Sequence, residues 1–115
     1  DKDLAISLKK TSLELFEFAE KLLESKGIRL RDTKFEFAAV IDSATKQKIV
    51  VLIDEALTPD ASRYEPDLSK QIVRDWLVEN KLDGKENVEL PPDVIDKTKN
   101  AYIEICKILT KKSII

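Results

Sequence analysis

The apolar side chains of this sequence change their spacing at Gly27, and that change dictates most of what the chain can become. Before it, Leu4, Leu8, Leu15, Ala19 and Leu22 recur at helical intervals, with Ile6, Phe16 and Leu23 widening the stripe. A long amphipathic helix is expected from about Asp3 to Lys26, with Phe16 and Phe18 packed in the core. Gly27 is its natural terminator, because a glycine takes the left-handed backbone of a helix end without a steric penalty. After it the pattern is extended from Ile28 to Ile41. The polar run Asp42 to Gln47 turns the chain, and Ile49-Val50-Val51-Leu52-Ile53 reads as a strand buried on both faces.

Those two extended segments predict an antiparallel hairpin, about 28–41 with 48–54. Ala56 to Arg63 reads as a loop from its Thr-Pro-Asp turn chemistry. A second amphipathic helix is expected from Asp67 to about Leu82, with Leu68, Ile72, Val73, Trp76 and Leu77 inward and Asp67 or Ser69 as cap. Pro91-Pro92-Asp93 announces a third, whose buried stripe is Val94, Ile95, Tyr102, Ile105, Cys106 and Leu109. The expected fold class is α+β, a small antiparallel sheet packed by three helices in a single domain over residues 1–115.

Composition narrows the chemistry. Twenty basic and twenty-two acidic side chains leave a net charge of -2, so no global field recruits nucleic acid or an anionic membrane. With no histidine there is no imidazole for zinc, for a triad or for proton shuttling near neutral pH. The single cysteine, Cys106, excludes an internal disulfide and reads as core packing. No apolar run approaches the roughly 20 residues of a membrane helix, and the N-terminus lacks a signal-peptide pattern, so a cytoplasmic setting is the default expectation. Asp1 is not a translational start, and residues upstream are expected to have been lost.

Carboxylates, lysines and arginines must therefore carry any reaction. Asp32-Thr33-Lys34-Phe35-Glu36-Phe37 alternates Asp32, Lys34 and Glu36 on one face with Thr33, Phe35 and Phe37 on the other, and Ile28 and Leu30 share the charged face. That mixture suits a cleft edge better than open solvent, with a decorated surface strand as the alternative. If Glu36 lies opposite Asp54, their β-carbons are roughly 5 Å apart. Two such carboxylates suit a hard cation such as magnesium, which keeps its other positions for water and nucleotide phosphates. Asp60, Ser62 and Arg63 on the following loop can contact a ligand or merely form a solvated turn. Lys70 and Arg74, one helical turn apart, can hold a phosphate or carboxylate or simply face water. The residue types point to a magnesium nucleotide; spacing alone leaves a surface salt-bridge ladder open.

The same residues resemble a known family. Asp32-Thr33-Lys34-Phe35-Glu36-Phe37 is similar to the Asp-x-Lys-x-Glu-Phe-Gly signature of the SAICAR synthetases, the phosphoribosylaminoimidazole-succinocarboxamide synthases of purine biosynthesis. The likeness continues through Leu52 to Arg63, through Lys70 to Leu77, and to Pro91-Pro92 with Ile95, Thr98 and Tyr102. It implies an ATP-dependent carbon–nitrogen ligase that activates the carboxylate of carboxyaminoimidazole ribotide (CAIR) as an acyl phosphate. The amine of L-aspartate then attacks, giving SAICAR, ADP and phosphate. Matched position by position, Glu36 and Asp54 would hold Mg2+ on ATP, and Lys34 would help neutralise its phosphates. Ser62 and Arg63 would grip the ribotide phosphate, and Asp60, Lys70 and Arg74 would line the substrate cleft. Lys34, Asp60, Lys70 and Arg74 are the catalytic candidates. The resemblance implies small-molecule partners only, with neither nucleic acid nor membrane, and is compatible with a homo-oligomer.

The sequence departs from the pattern in three places. Ala38 replaces the signature glycine, Ser69 replaces an aspartate, and Tyr64-Glu65-Pro66-Asp67-Leu68 is shorter than the family's loop. The glycine-rich N-terminal nucleotide lobe is absent, so the chain corresponds to a C-terminal lobe expected to be inactive alone. The alternatives are a non-catalytic anion- or nucleotide-binding module of the same fold, and a plain structural or interaction protein.

Overall fold

The computed structural model describes Asp1–Lys112 and comprises three helices and four short strands. Helix α1 spans Lys2–Glu24 and starts on the Asp1 carboxylate, which accepts the Asp3 N–H at 3.0 Å and the Leu4 N–H at 3.4 Å. It ends as its sequence predicts. Gly27 adopts φ +75°, the Gly27 N–H donates to the Glu24 carbonyl at 3.0 Å, and the Ile28 N–H donates to Leu23 at 3.1 Å. This paired closure also brings Leu23 and Ile28 into the same core.

The extended segment after Gly27 is not one strand. β1 (Arg29–Thr33) pairs with β4 (Ser62–Glu65), whereas β2 (Glu36–Ile41) pairs with β3 (Lys48–Ile53), both antiparallel and in separate two-stranded sheets. The expected hairpin therefore forms with its first arm beginning at Glu36. The chain changes sheet at Lys34-Phe35, and a bulge between Leu30 and Asp32 further breaks the alternation. The charged face read through Asp32, Lys34 and Glu36 is thus spread over two sheets. Ser62–Glu65, partly read as loop, is a strand because Ser62 and Tyr64 alternate inward.

Ala19, Leu23, Ile28, Leu30, Tyr64, Leu68, Ala101 and Ile105 form the core, joining α1, the β1/β4 sheet and α3 (Pro92–Thr110). Helix α2 is shorter than expected, Gln71–Glu79, and lies against α3. Its N-cap position is Lys70, with no side-chain cap, rather than the expected Asp67 or Ser69; the buried Ser69 hydroxyl just before it accepts the Gln71 N–H at 3.2 Å.

Several burial expectations fail, among them Ile6, exposed on α1, and Cys106, half-buried outside the core cluster. β3 is exposed along most of its length rather than buried on both faces, with Val50 at 42% and Leu52 at 43%. Neither hairpin strand has an extensive helix contact, so nothing among the described residues covers these side chains. Phe18 is 69% exposed because it falls outside the stripe of Phe16, Ala19 and Leu23, and Ile95 lies on the outer face of α3. The radius of gyration is 17.6 Å, against about 13 Å for a compact chain of this length, which reflects the projecting hairpin.

Candidate functional site

Two clusters of ionisable side chains flank the point where the chain changes sheet. The first gathers on Lys34, whose backbone N–H donates to the Ala61 carbonyl at 3.1 Å and fixes it beside the core sheet. Its ammonium lies 2.6 Å from Glu36 Oε1 and 4.0 Å from Asp54 Oδ2. The register is one residue away from the arrangement expected: Glu36 faces Ile53, not Asp54. Pairing ends at Ile53, and Asp54 turns out of the ladder at φ +61°, so strand alternation no longer sets its direction. The two carboxylates nevertheless share one ammonium. Hydrogen bonding to Glu36, then the charges of Glu36, Asp54 and Glu55, hold the Lys34 pKa above the ordinary lysine value.

The place between Glu36 and Asp54 thus already attracts a cation, and both donors are hard oxygens. Among the described residues no group of three or more acidic, cysteine or histidine side chains forms a metal cage. Two half-exposed carboxylates suit Mg2+, which takes one or two protein carboxylates, keeps its other positions for water and phosphate, and rarely uses an all-protein cage.

The second cluster lines a polar pocket of about 240 Å³ between β4 and the start of α2. Its floor is a turn, Thr58-Pro59-Asp60-Ala61, closed by the Ala61 N–H donating to the Thr58 carbonyl at 3.1 Å, with proline at the second position. The Thr58 hydroxyl donates to Glu55 Oε2 at 2.5 Å, and the Lys70 N–H donates to the Pro59 carbonyl at 3.2 Å. That last bond places the entrance of α2 on the turn. As a result Asp60, Ser62, Arg63, Lys70 and Arg74, all five residues expected to contact substrate, line one cavity.

Their states differ. Arg63 Nε donates to Asp32 Oδ2 at 2.7 Å and its terminal nitrogen reaches the same oxygen. The Arg63 guanidinium in turn holds the Asp32 carboxyl below the usual aspartate range. Ser62 is buried, and its hydroxyl shares a 2.7 Å hydrogen bond with Thr33. Neither Lys70 nor Arg74 makes an ion pair among the described residues. Once Asp32 and Arg63 neutralise each other, the pocket presents Asp60 against two cations and suits a ligand richer in negative than positive groups.

Asp32 and Gln71 also line the pocket, and Tyr102 reaches it by donating its hydroxyl to Asp60 Oδ1; none had been assigned a role from sequence. Asp32 was findable, since it opens the charged alternation. Tyr102 lies 42 residues from Asp60, and only the packing of α3 reveals the contact. The charge of Glu55 acts on both Lys34 and Tyr102, so the two clusters adjoin.

Comparison with known proteins shows the family and the fold. The family model for SAICAR synthetase matches residues 1–91. Phosphoribosylaminoimidazole-succinocarboxamide synthase of Schizosaccharomyces pombe is 40% identical over 121 residues, covering 96% of this chain and 39% of the relative. Its counterpart in Corynebacterium urealyticum is 40% identical, covering 89% of this chain and 38% of the relative. The solved structure of the Saccharomyces cerevisiae SAICAR synthase complexed with SAICAR superposes with a TM-score of 0.78 at 36% identity, over 96% of this chain and 40% of that one. The chain therefore spans about two fifths of the length of the relatives it matches.

Proposed function

This chain belongs to the SAICAR synthetase family, and from that membership we propose that it is the C-terminal lobe of a ligase of purine biosynthesis joining CAIR to L-aspartate at the expense of ATP. The observation that carries the reading is the convergence of Asp60, Ser62, Arg63, Lys70 and Arg74 in one pocket next to the Glu36, Asp54 and Lys34 cluster.

In this reading Glu36 and Asp54 hold Mg2+, which when bound supplies positive charge to the ATP phosphates. Lys34 exchanges its pairing with Glu36 for phosphate oxygens and neutralises charge as it accumulates there. Arg63 and Ser62 bind the ribotide phosphate. Asp32 occupies Nε and one terminal nitrogen of Arg63 and keeps the guanidinium from rotating, which leaves its outer edge for the phosphate. Lys70 and Arg74 draw in carboxylates, and Asp60 accepts a hydrogen bond from an amine or hydroxyl of the substrate.

Two sequence departures are structurally benign. Ser69 accepts the Gln71 N–H at the entrance of α2, as the aspartate it replaces could, and Ala38 pairs with Val51 in an ordinary strand without positive φ. Neither favours the non-catalytic binding module over the ligase. The exposed faces of the hairpin support a further lobe in the working protein, since two strands alone bury little of their apolar surface.

The test is turnover of ATP, CAIR and L-aspartate by the longer polypeptide that carries this chain, with the 115-residue chain assayed beside it. SAICAR should form only with the longer protein. Arg63→Ala should raise the KM for CAIR more than that for ATP. Full activity from the short chain would refute the two-lobe reading.

A further inference from the structure

We propose that Tyr102 is a positioning residue of the pocket: its hydroxyl holds Oδ1 of Asp60 and so commits Oδ2 to a hydrogen-bond donor, an amine or a hydroxyl, on the bound substrate. The substrate's identity rests on the ligase reading; the contact itself does not.

The geometry leaves Asp60 few choices. It sits at the exposed tip of the Thr58–Ala61 turn, and a carboxylate turns readily about its last torsion. Lys70 and Arg74 stand across the same cavity. Left alone, the Asp60 carboxylate would swing toward one of them, fill the cavity with an ion pair and withdraw its acceptor from substrate. Tyr102 opposes this from α3, a helix packed on the core: its ring forms part of the wall of a groove of about 470 Å³ beside Leu57, Pro59 and Ile105, so its hydroxyl reaches Asp60 from outside the turn. Oδ2 has no partner among the described residues.

Burial, then the hydrogen bond to Asp60 and the nearby charges of Asp60 and Glu55, outweigh Arg74 and keep the phenol well above its ordinary pKa. It therefore remains a donor throughout the physiological range. A phenylalanine keeps the ring in the same wall of the groove and loses only the hydroxyl.

Tyr102→Phe in the longer polypeptide should raise the KM for aspartate or for CAIR about tenfold, the effect of losing one hydrogen bond to a charged group, with the KM for ATP changed less than about twofold. Equal changes in all three constants, or none, would overturn the positioning role. A second measurement is independent of turnover. The Tyr102 phenol, isolated by ultraviolet difference against the Tyr102→Phe protein, should ionise at lower pH in Asp60→Asn than in the parent. Absence of SAICAR from the parent would count against the ligase reading, and the titration would then decide the contact by itself. An unshifted phenol in Asp60→Asn would overturn it.

Discussion

Removing the Tyr64 hydroxyl measures how firmly the core holds the loop that carries Asp54 and Asp60. Tyr64 is fully buried in β4, and its hydroxyl donates to the carbonyl of Leu57. Leu57 adopts φ +60°, a conformation that costs a residue with a side chain about 1–2 kcal/mol. It persists because the Leu57 side chain packs on the core and its carbonyl is tied to Tyr64. Tyr64→Phe keeps the ring, so no cavity of consequence opens. It removes one hydrogen bond and leaves a partly buried carbonyl unpaired, about 1–3 kcal/mol in total. With an unfolding entropy of about 2.1 cal/mol/K per residue, thermal melting followed by circular dichroism should fall by about 4–12 °C. Amide exchange should quicken across residues 54–60 more than in α1. A melting temperature within about 1 °C of the parent, with unchanged exchange in that loop, would show that the loop is held by packing alone.

The pairing of Asp32 with Arg63 makes an acid-side prediction. The folded pKa of Asp32 lies below its unfolded value, so its contribution is complete above about pH 4 and disappears as pH falls through the folded pKa. Asp32→Asn should flatten that part of the stability–pH curve, by no more than about 1 kcal/mol for so exposed a pair, and urea melts at pH 3 and pH 7 would measure it. Gly27→Ala should destabilise by about 1–2 kcal/mol although nothing lies within 4 Å of the added carbon, because the backbone there is left-handed; chemical denaturation reads this directly. Leu52→Lys should leave the melting temperature of the 115-residue chain nearly unchanged and reduce its self-association in light scattering, yet destabilise the longer polypeptide.

Residues that depend on their own neighbours were legible in the sequence. The α1 stripe, its Gly27 ending and the Pro91-Pro92 start of α3 all declare themselves within a few positions. Pairing partners did not. Alternation runs unbroken from Thr33 to Phe37, so the period could not show that Lys34-Phe35 is where the chain leaves β4 for β3. Likewise Ile49 to Ile53 reads as buried from composition, but burial is decided by what covers a strand, and the described residues supply no cover. The candidate site was legible as a set of residue types and, through family likeness, as positions. Tyr102 was not, because its partner lies on a distant turn.

The sheet change at Lys34-Phe35 divides the work of alignment. Glu36 and Asp54 both stand at the base of the hairpin and travel with it as one piece, whereas Asp60, Ser62 and Arg63 are anchored to the β1/β4 sheet. Two residues, Lys34 and Phe35, make the shorter covalent join between those frames and residues 54–61 the longer one, and the Lys34 amide bonded to Ala61 ties the two joins together. Whatever orients the hairpin thereby sets the distance from Glu36 and Asp54 to the pocket of Asp60, Ser62 and Arg63, and an error in it would separate the two groups while every contact within each stayed intact.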